Sequence, residues 1–140
     1  MGTNLASISI EIFGRTDNKF VKGLLMIGEF KESLFIDTRV WSIDSYLKHW
    51  NHTFNNLNMG SDHEIICVSL DNRWMNIWPV DRLGPEYKLC NLIYRREDFE
   101  IDSSYEIRTS QTGEPLPGPD ETDMSRWVVP VEPISPVSLG

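Results

Sequence analysis

Three histidines are the residues of this sequence whose type and spacing come nearest to a metal site. His49 and His52 lie three residues apart in a segment with helical periodicity, and His63 follows the end of that segment. Metal ligands do occur at such spacings. No cysteine or carboxylate completes the set at a usual distance along the chain, so the pattern favours histidines on the polar face of a helix. We therefore expect no metal site.

The motifs of common enzyme families do not occur in the sequence. It contains no glycine-rich phosphate-binding loop and no G-x-S-x-G, H-E-x-x-H or C-x-x-C motif. Serine, histidine and aspartate are all present, but a catalytic triad is defined by geometry that a sequence does not show. Paired carboxylates for glycoside hydrolysis need a cleft that keeps one of them protonated. The sequence thus predicts a protein that is not an enzyme and needs no cofactor.

The net charge of the chain is concentrated in residues 97–123. The whole chain has a formal net charge of −8, and this segment holds nine acidic residues against one basic residue, Arg108. The rest of the chain is therefore neutral. A strongly acidic protein is unsuited to binding a phosphate backbone, which requires Lys and Arg. It suits a basic partner instead, and we expect the protein to bind neither nucleic acid nor a membrane.

Apolar residues alternate with the acids at the start of this segment. Phe99 and Ile101 stand two apart, as do Tyr105 and Ile107, which is typical of a strand with one solvated face. A solvated acidic loop is the alternative. We predict an ordered surface that contacts a basic partner. The candidate contact residues are Glu97, Asp98, Phe99, Glu100, Asp102, Tyr105, Glu106, Asp120, Glu121 and Asp123.

The elements that would position these residues begin with three short strands. Residues 7–14, 19–28 and 29–37 each show a strand pattern, with turn signals between them. Three successive strands indicate an antiparallel meander. Gly23, inside the second strand, is a candidate for a β-bulge.

The periodicity then changes to that of a helix at about residues 43–58. Ser42 is a suitable N-cap, and Gly60 suits the left-handed position that ends a helix. Trp50 lies on the apolar face and is assigned to the core. The apolar residues of this face are Ile43, Tyr46, Leu47, Trp50, Phe54 and Leu57.

Strand patterns resume after the helix. They cover residues 64–71, 73–80, 87–94 and 100–108, and a last strand is expected from Trp127 to Val131. Pro79 should place its strand at an edge or at a strand end. Trp74 and Trp78 are four apart and would share a face, which favours core packing over the alternative of an aromatic platform for stacked bases. Cys67 and Cys90 are expected to be reduced core residues.

These patterns predict the α+β class, mainly antiparallel, with one principal helix. At 140 residues the chain is expected to form a single domain over residues 1–131. Residues 113–119 are predicted to form a Gly/Pro loop, and residues 132–140 are predicted to form a proline-containing tail that is not helical. The sequence shows no signal peptide and no apolar run long enough to cross a membrane, so a cytoplasmic location is expected.

Two stretches of the sequence resemble immunity proteins of bacterial contact-dependent growth inhibition (CDI) systems. One is "WSIDSYLKHW" at 41–50, and the other combines "IRTSQTG" at 107–113 with "DMSRWVV" at 123–129. The resemblance implies a two-sheet antiparallel sandwich similar to Whirly single-stranded DNA-binding proteins. It also implies that Ile43, Tyr46, Trp50 and Trp127 are scaffold. The prolines of the tail depart from the C-terminal helix of that family.

The resemblance further implies a cytoplasmic protein that binds the toxin domain of its own system and blocks it by occlusion. Such toxins are very often nucleases, and nuclease domains are basic because they bind phosphates. An acidic surface covering such a domain would explain the charge of residues 97–123. Two alternatives stay open at this point: a Whirly-like single-stranded nucleic-acid-binding protein, and a chaperone for another basic partner.

Overall fold

The structure is a computed structural model that describes residues 2–5, 7–15, 19–109 and 126–130. Within these ranges the chain forms one α-helix and eleven strands, paired antiparallel throughout, which confirms the predicted α+β, mainly antiparallel class. The elements are β1 (Gly2–Leu5), β2 (Ile8–Arg15), β3 (Phe20–Ile27), β4 (Phe30–Asp37), α1 (Ile43–Asn58), β5 (His63–Leu70), β6 (Trp74–Leu83), β7 (Glu86–Cys90), β8 (Leu92–Arg95), β9 (Phe99–Ile101), β10 (Ile107–Thr109) and β11 (Arg126–Pro130). The loop predicted at 113–119 and the tail at 132–140 lie outside the described residues.

The first sheet is an antiparallel meander in the order β1-β2-β3-β4. It confirms the three strands predicted from residues 7–37. Its edge strand β1 was not predicted, because four residues are too few to establish a strand period.

Gly23 is not the bulge that the sequence suggested. It pairs regularly with Ile12 on one side and Leu34 on the other, and the irregularity lies in β2, between Ile12 and Gly14. What requires glycine at position 23 is space. A Cβ there would lie 2.9 Å from the carbonyl oxygen of Glu11 and 3.0 Å from Cδ1 of Ile36.

Gly23→Ala is therefore expected to lower the free energy of unfolding by about 1–3 kcal/mol, since one of the two contacts is with rigid backbone. Urea denaturation measures the loss. Ser33→Ala, an exposed position on the adjacent strand β4, is the control and should change stability by less than about 0.5 kcal/mol. Equal midpoints for the two variants would contradict the close approach.

The helix forms where the sequence places it. The Ser42 hydroxyl accepts the N–H of Ser45 at the N-cap, and Gly60 follows the C-cap residue Met59 with φ +101°. Hydrogen bonds attach the buried face to β5. Nε1 of Trp50 donates to the carbonyl of Cys67 at 2.8 Å, and the Tyr46 hydroxyl accepts the N–H of Leu70 at 2.9 Å.

The second sheet has the order β11-β7-β6-β5, and β8 pairs with the free half of β6. The prediction of a single strand over 87–94 is wrong. The chain leaves the ladder at Asn91, so this segment forms two strands, β7 and β8. Both halves pair with β6 in one unbroken register: Val80 with Leu89, then Ile77 with Leu92. The break thus lies opposite Trp78 and Pro79. Because Pro79 has no N–H to donate, a ladder cannot be completed there.

Pro79 is accordingly in the interior of a central strand, contrary to the edge or strand-end position predicted for it. It keeps a partner on one side, Ile65 of β5, and occupies the gap between β7 and β8 on the other. The prediction failed because it assumed that a proline must avoid a central strand. A proline only has to stand where the ladder needs no N–H from it, and a local break in one ladder provides such a place.

Both sheets and the helix contribute to one hydrophobic core. Trp127 of β11 lies between Phe30 of β4 and Trp78 of β6, with ring centroids 4.7 Å and 4.8 Å away. Cys67 and Cys90 are buried thiols that are not joined in a disulfide, as expected. Among the described residues, the helix is too short and too polar to cross a membrane.

Candidate functional site

The acidic stretch is a short β-hairpin, not the single strand predicted over 100–108. A 3₁₀ turn at Arg96–Asp98 leads into β9, which pairs with β10. Asp102 ends β9, because its Oδ1 accepts the N–H of Ser104 at 2.7 Å and of Glu106 at 3.1 Å. Such side-chain-to-backbone bonds are the usual way in which Asp forms a turn. They also hold the pKa of Asp102 below its ordinary value.

Tyr105 fixes this hairpin to the helix. Its backbone has φ +63°, a left-handed conformation that is unusual for a bulky residue. Its carbonyl oxygen accepts a hydrogen bond from Nδ1 of His49 at 2.7 Å. Its ring packs edge-on against Trp41, with centroids 5.5 Å apart. The turn that carries Asp102 and Glu106 is therefore held in one position relative to α1.

His49 is fully buried between the hairpin and β5, so the prediction that it lies on the polar face of the helix is wrong. Nε2 accepts the N–H of Cys67 at 2.8 Å, which places the ring proton on Nδ1, the atom that donates to Tyr105. Burial lowers the pKa of His49 to about 4. The sequence did contain a signal, since position 49 lies three residues after Tyr46 and four before Thr53, both buried.

Because His49 is neutral in the fold, the free energy of unfolding should decrease as the pH is lowered. The stabilisation is complete above the unfolded-state pKa of about 6.5 and is lost as the pH falls towards about 4. Between pH 7.5 and 5 the loss should be about 2 kcal/mol. Urea denaturation of wild type and His49→Gln at both pH values isolates this residue, since other groups cancel in the difference. The difference in free energy of unfolding between wild type and His49→Gln should be smaller at pH 5 than at pH 7.5. The same difference at both pH values would contradict a neutral His49.

The other two histidines do not converge on His49. His52 lies near Asn56, and the exposed His63 pairs with Asp81 of β6. In the described parts of the chain, no three His, Cys, Asp or Glu side chains come together in a way that could hold a metal ion.

Arginines partly balance the acids of the hairpin. Arg95 contacts Glu97 at 3.2 Å and Asp98 at 3.7 Å, and Arg108 contacts Asp102 at 3.2 Å. Arg108 also lies directly opposite Glu100 in the β9–β10 pairing. Five acidic residues thus face Arg95, Arg96 and Arg108. The described hairpin is a mixed-charge surface with an acidic excess, suited to binding a cationic partner.

The predicted contact residues that the structure describes fall into three groups. Glu97 and Glu100 are exposed, whereas Asp98, Asp102, Tyr105 and Glu106 are partly exposed. Phe99 is a core residue that packs edge-on against Tyr94 at 5.8 Å, so it supports the hairpin from below and does not join the surface. Asp120, Glu121 and Asp123 lie outside the described residues.

The fold is similar to that of a chain in the CdiA-CT/CdiI toxin and immunity complex from Enterobacter cloacae. The TM-score is 0.61, the sequence identity is 16%, and the alignment covers 86% of each chain. At the level of the fold, this likeness agrees with the sequence resemblance to proteins of CDI systems. No protein-family model matches the sequence, and no curated protein is significantly similar to it.

Proposed function

We propose that this chain is an immunity protein that binds the toxin domain of its own CDI system in the cytoplasm and neutralises it. The observation that carries the proposal is the fold, which is shared with a chain of a toxin and immunity complex over most of both lengths. The charge distribution supports it independently, because an acidic excess on a rigid hairpin complements a basic toxin surface.

Inhibition by occlusion is favoured by a surface that is already formed before the partner arrives. The hairpin has this property, since His49 holds it to the helix and the Asp102 side chain fixes its turn. A preorganised surface loses little conformational entropy on binding.

A nuclease is the toxin class that fits best, because its phosphate-binding surface is basic and would be covered by the acidic hairpin.

The test uses the cognate toxin domain, which under this proposal is encoded next to the gene for this chain and is here called the neighbouring toxin domain. The two proteins, expressed together, should copurify as a stable complex, and added immunity protein should suppress the nuclease activity of the isolated toxin domain in proportion to its amount. Toxin activity that is unchanged by a molar excess of this chain would overturn the proposal.

A further inference from the structure

The outer face of β6 and β8 carries an exposed apolar group beside the acidic hairpin. Trp74 pairs directly with Arg95, and Asn76 with Ile93. Directly opposite residues of an antiparallel pair project from the same face. We call these four residues the Trp74 face. Trp74 is 49% exposed and Ile93 69% exposed, so the expectation that both Trp74 and Trp78 pack in the core holds only for Trp78.

The Trp74 face also has unused hydrogen-bonding capacity. Among the described residues, Oδ1 of Asn76 and Oδ1 of Asn91 make no hydrogen bond, and neither does Nε1 of the fully buried Trp78. Extending the register across the break in the ladder places Asn91 opposite Trp78, two residues along the strands from the Asn76–Ile93 pair. Both asparagines are partly exposed as residues, but these two oxygens are themselves buried. A donor from a partner would reach them only after the amide group turned outward.

We propose that Trp74 and Ile93 are the apolar anchor of the surface that binds the toxin domain, and that the acidic hairpin is its charged rim. This inference rests on the proposed function. The two regions are continuous, since Arg95 of the Trp74 face contacts Glu97 and Asp98 of the hairpin. Protein interfaces commonly combine an apolar centre containing Trp or Arg with a polar rim. Lys and Arg side chains, which only donate hydrogen bonds, match the acids of this rim.

A protein occupant fits this face better than a single-stranded nucleic acid. Stacking of bases needs aromatic planes with free cations beside them. Arg95 is already engaged by two carboxylates, and Ile93 offers no ring on which a base could stack. The net charge of −8 opposes a phosphate backbone as well.

Binding of the neighbouring toxin domain to Trp74→Ala and Ile93→Ala tests the inference. Trp74→Ala should weaken binding by about 30-fold or more, as for a Trp hot spot, and Ile93→Ala by about tenfold. Phe35→Ala is the matched control, because Phe35 is 61% exposed on β4 of the other sheet. It should bind within about twofold of wild type.

Acrylamide quenching of tryptophan fluorescence gives a second readout that needs no truncated side chain. Toxin binding should reduce quenching in wild type, and Trp74→Phe should remove most of that reduction. If wild type binds but both alanine variants bind equally well and quenching is unchanged, the anchor lies elsewhere and the proposed function stands. If wild type does not bind, the proposed function fails and the inference with it. Protection of Trp74 by an oligo-dT strand, and not by the toxin domain, would overturn the inference in favour of nucleic-acid binding.

Discussion

Trp50→Ala is expected to lower the free energy of unfolding by about 3–5 kcal/mol, the usual range for truncating a buried aromatic residue. Trp50 is fully buried at the centre of the helix face, and its indole lies next to Tyr46, with ring centroids 5.8 Å apart. The substitution would also leave the buried carbonyl of Cys67 without its indole donor, which adds to the loss.

Urea denaturation followed by far-UV circular dichroism measures this effect. Met59→Ala is the control, because Met59 is exposed at the end of the same helix. It should stay within about 0.5 kcal/mol of wild type. Equal midpoints for Trp50→Ala and wild type would contradict the packing of α1 against β5.

Reversing the charge of the hairpin should slow association with the toxin domain by on the order of tenfold or more at low salt. The variant changes Glu97, Asp98, Glu100 and Glu106 to Lys. Asp102 is left unchanged, because its carboxylate forms the turn and its loss would confuse unfolding with lost attraction. The difference in association rate between this variant and wild type should be smaller at about 1 M salt. The Debye length there is about 3 Å, compared with about 10 Å at about 0.1 M.

A matched variant separates the position of the charge from its amount. Changing Glu11, Glu29, Asp62 and Glu86 to Lys alters the net charge equally, and all four are exposed outside the hairpin. Stopped-flow association rates should fall much further for the hairpin variant than for this control. Equal rates for the two variants would mean that the hairpin is only a solvated surface.

The elements predicted best were those whose signals are local. The helix over residues 43–58 has its cap, its apolar period and its terminating glycine within the segment itself. The strands of the first sheet likewise carry their own alternation and turns. Each of these signals acts over a few residues, so the sequence alone determines the element.

The errors occurred where a distant residue decides the structure. The break between β7 and β8 is caused by Pro79, which lies on the partner strand. The alternation of apolar residues predicts one strand over residues 100–108, but the carboxylate of Asp102 folds this segment into a hairpin. His49 is buried because Tyr105, 56 residues away, supplies its acceptor. The Trp74 face depends on which residues of β8 lie opposite β6, and sequence spacing does not specify that pairing.

Growth of cells that produce the neighbouring toxin domain, with and without this chain, tests the central claim most directly. The toxin domain alone should arrest growth, and coexpression of the wild-type chain should restore it, whereas the hairpin charge-reversal variant should restore it less than its matched control. Continued growth arrest in cells that contain folded wild-type protein would contradict the account of this chain as an immunity protein.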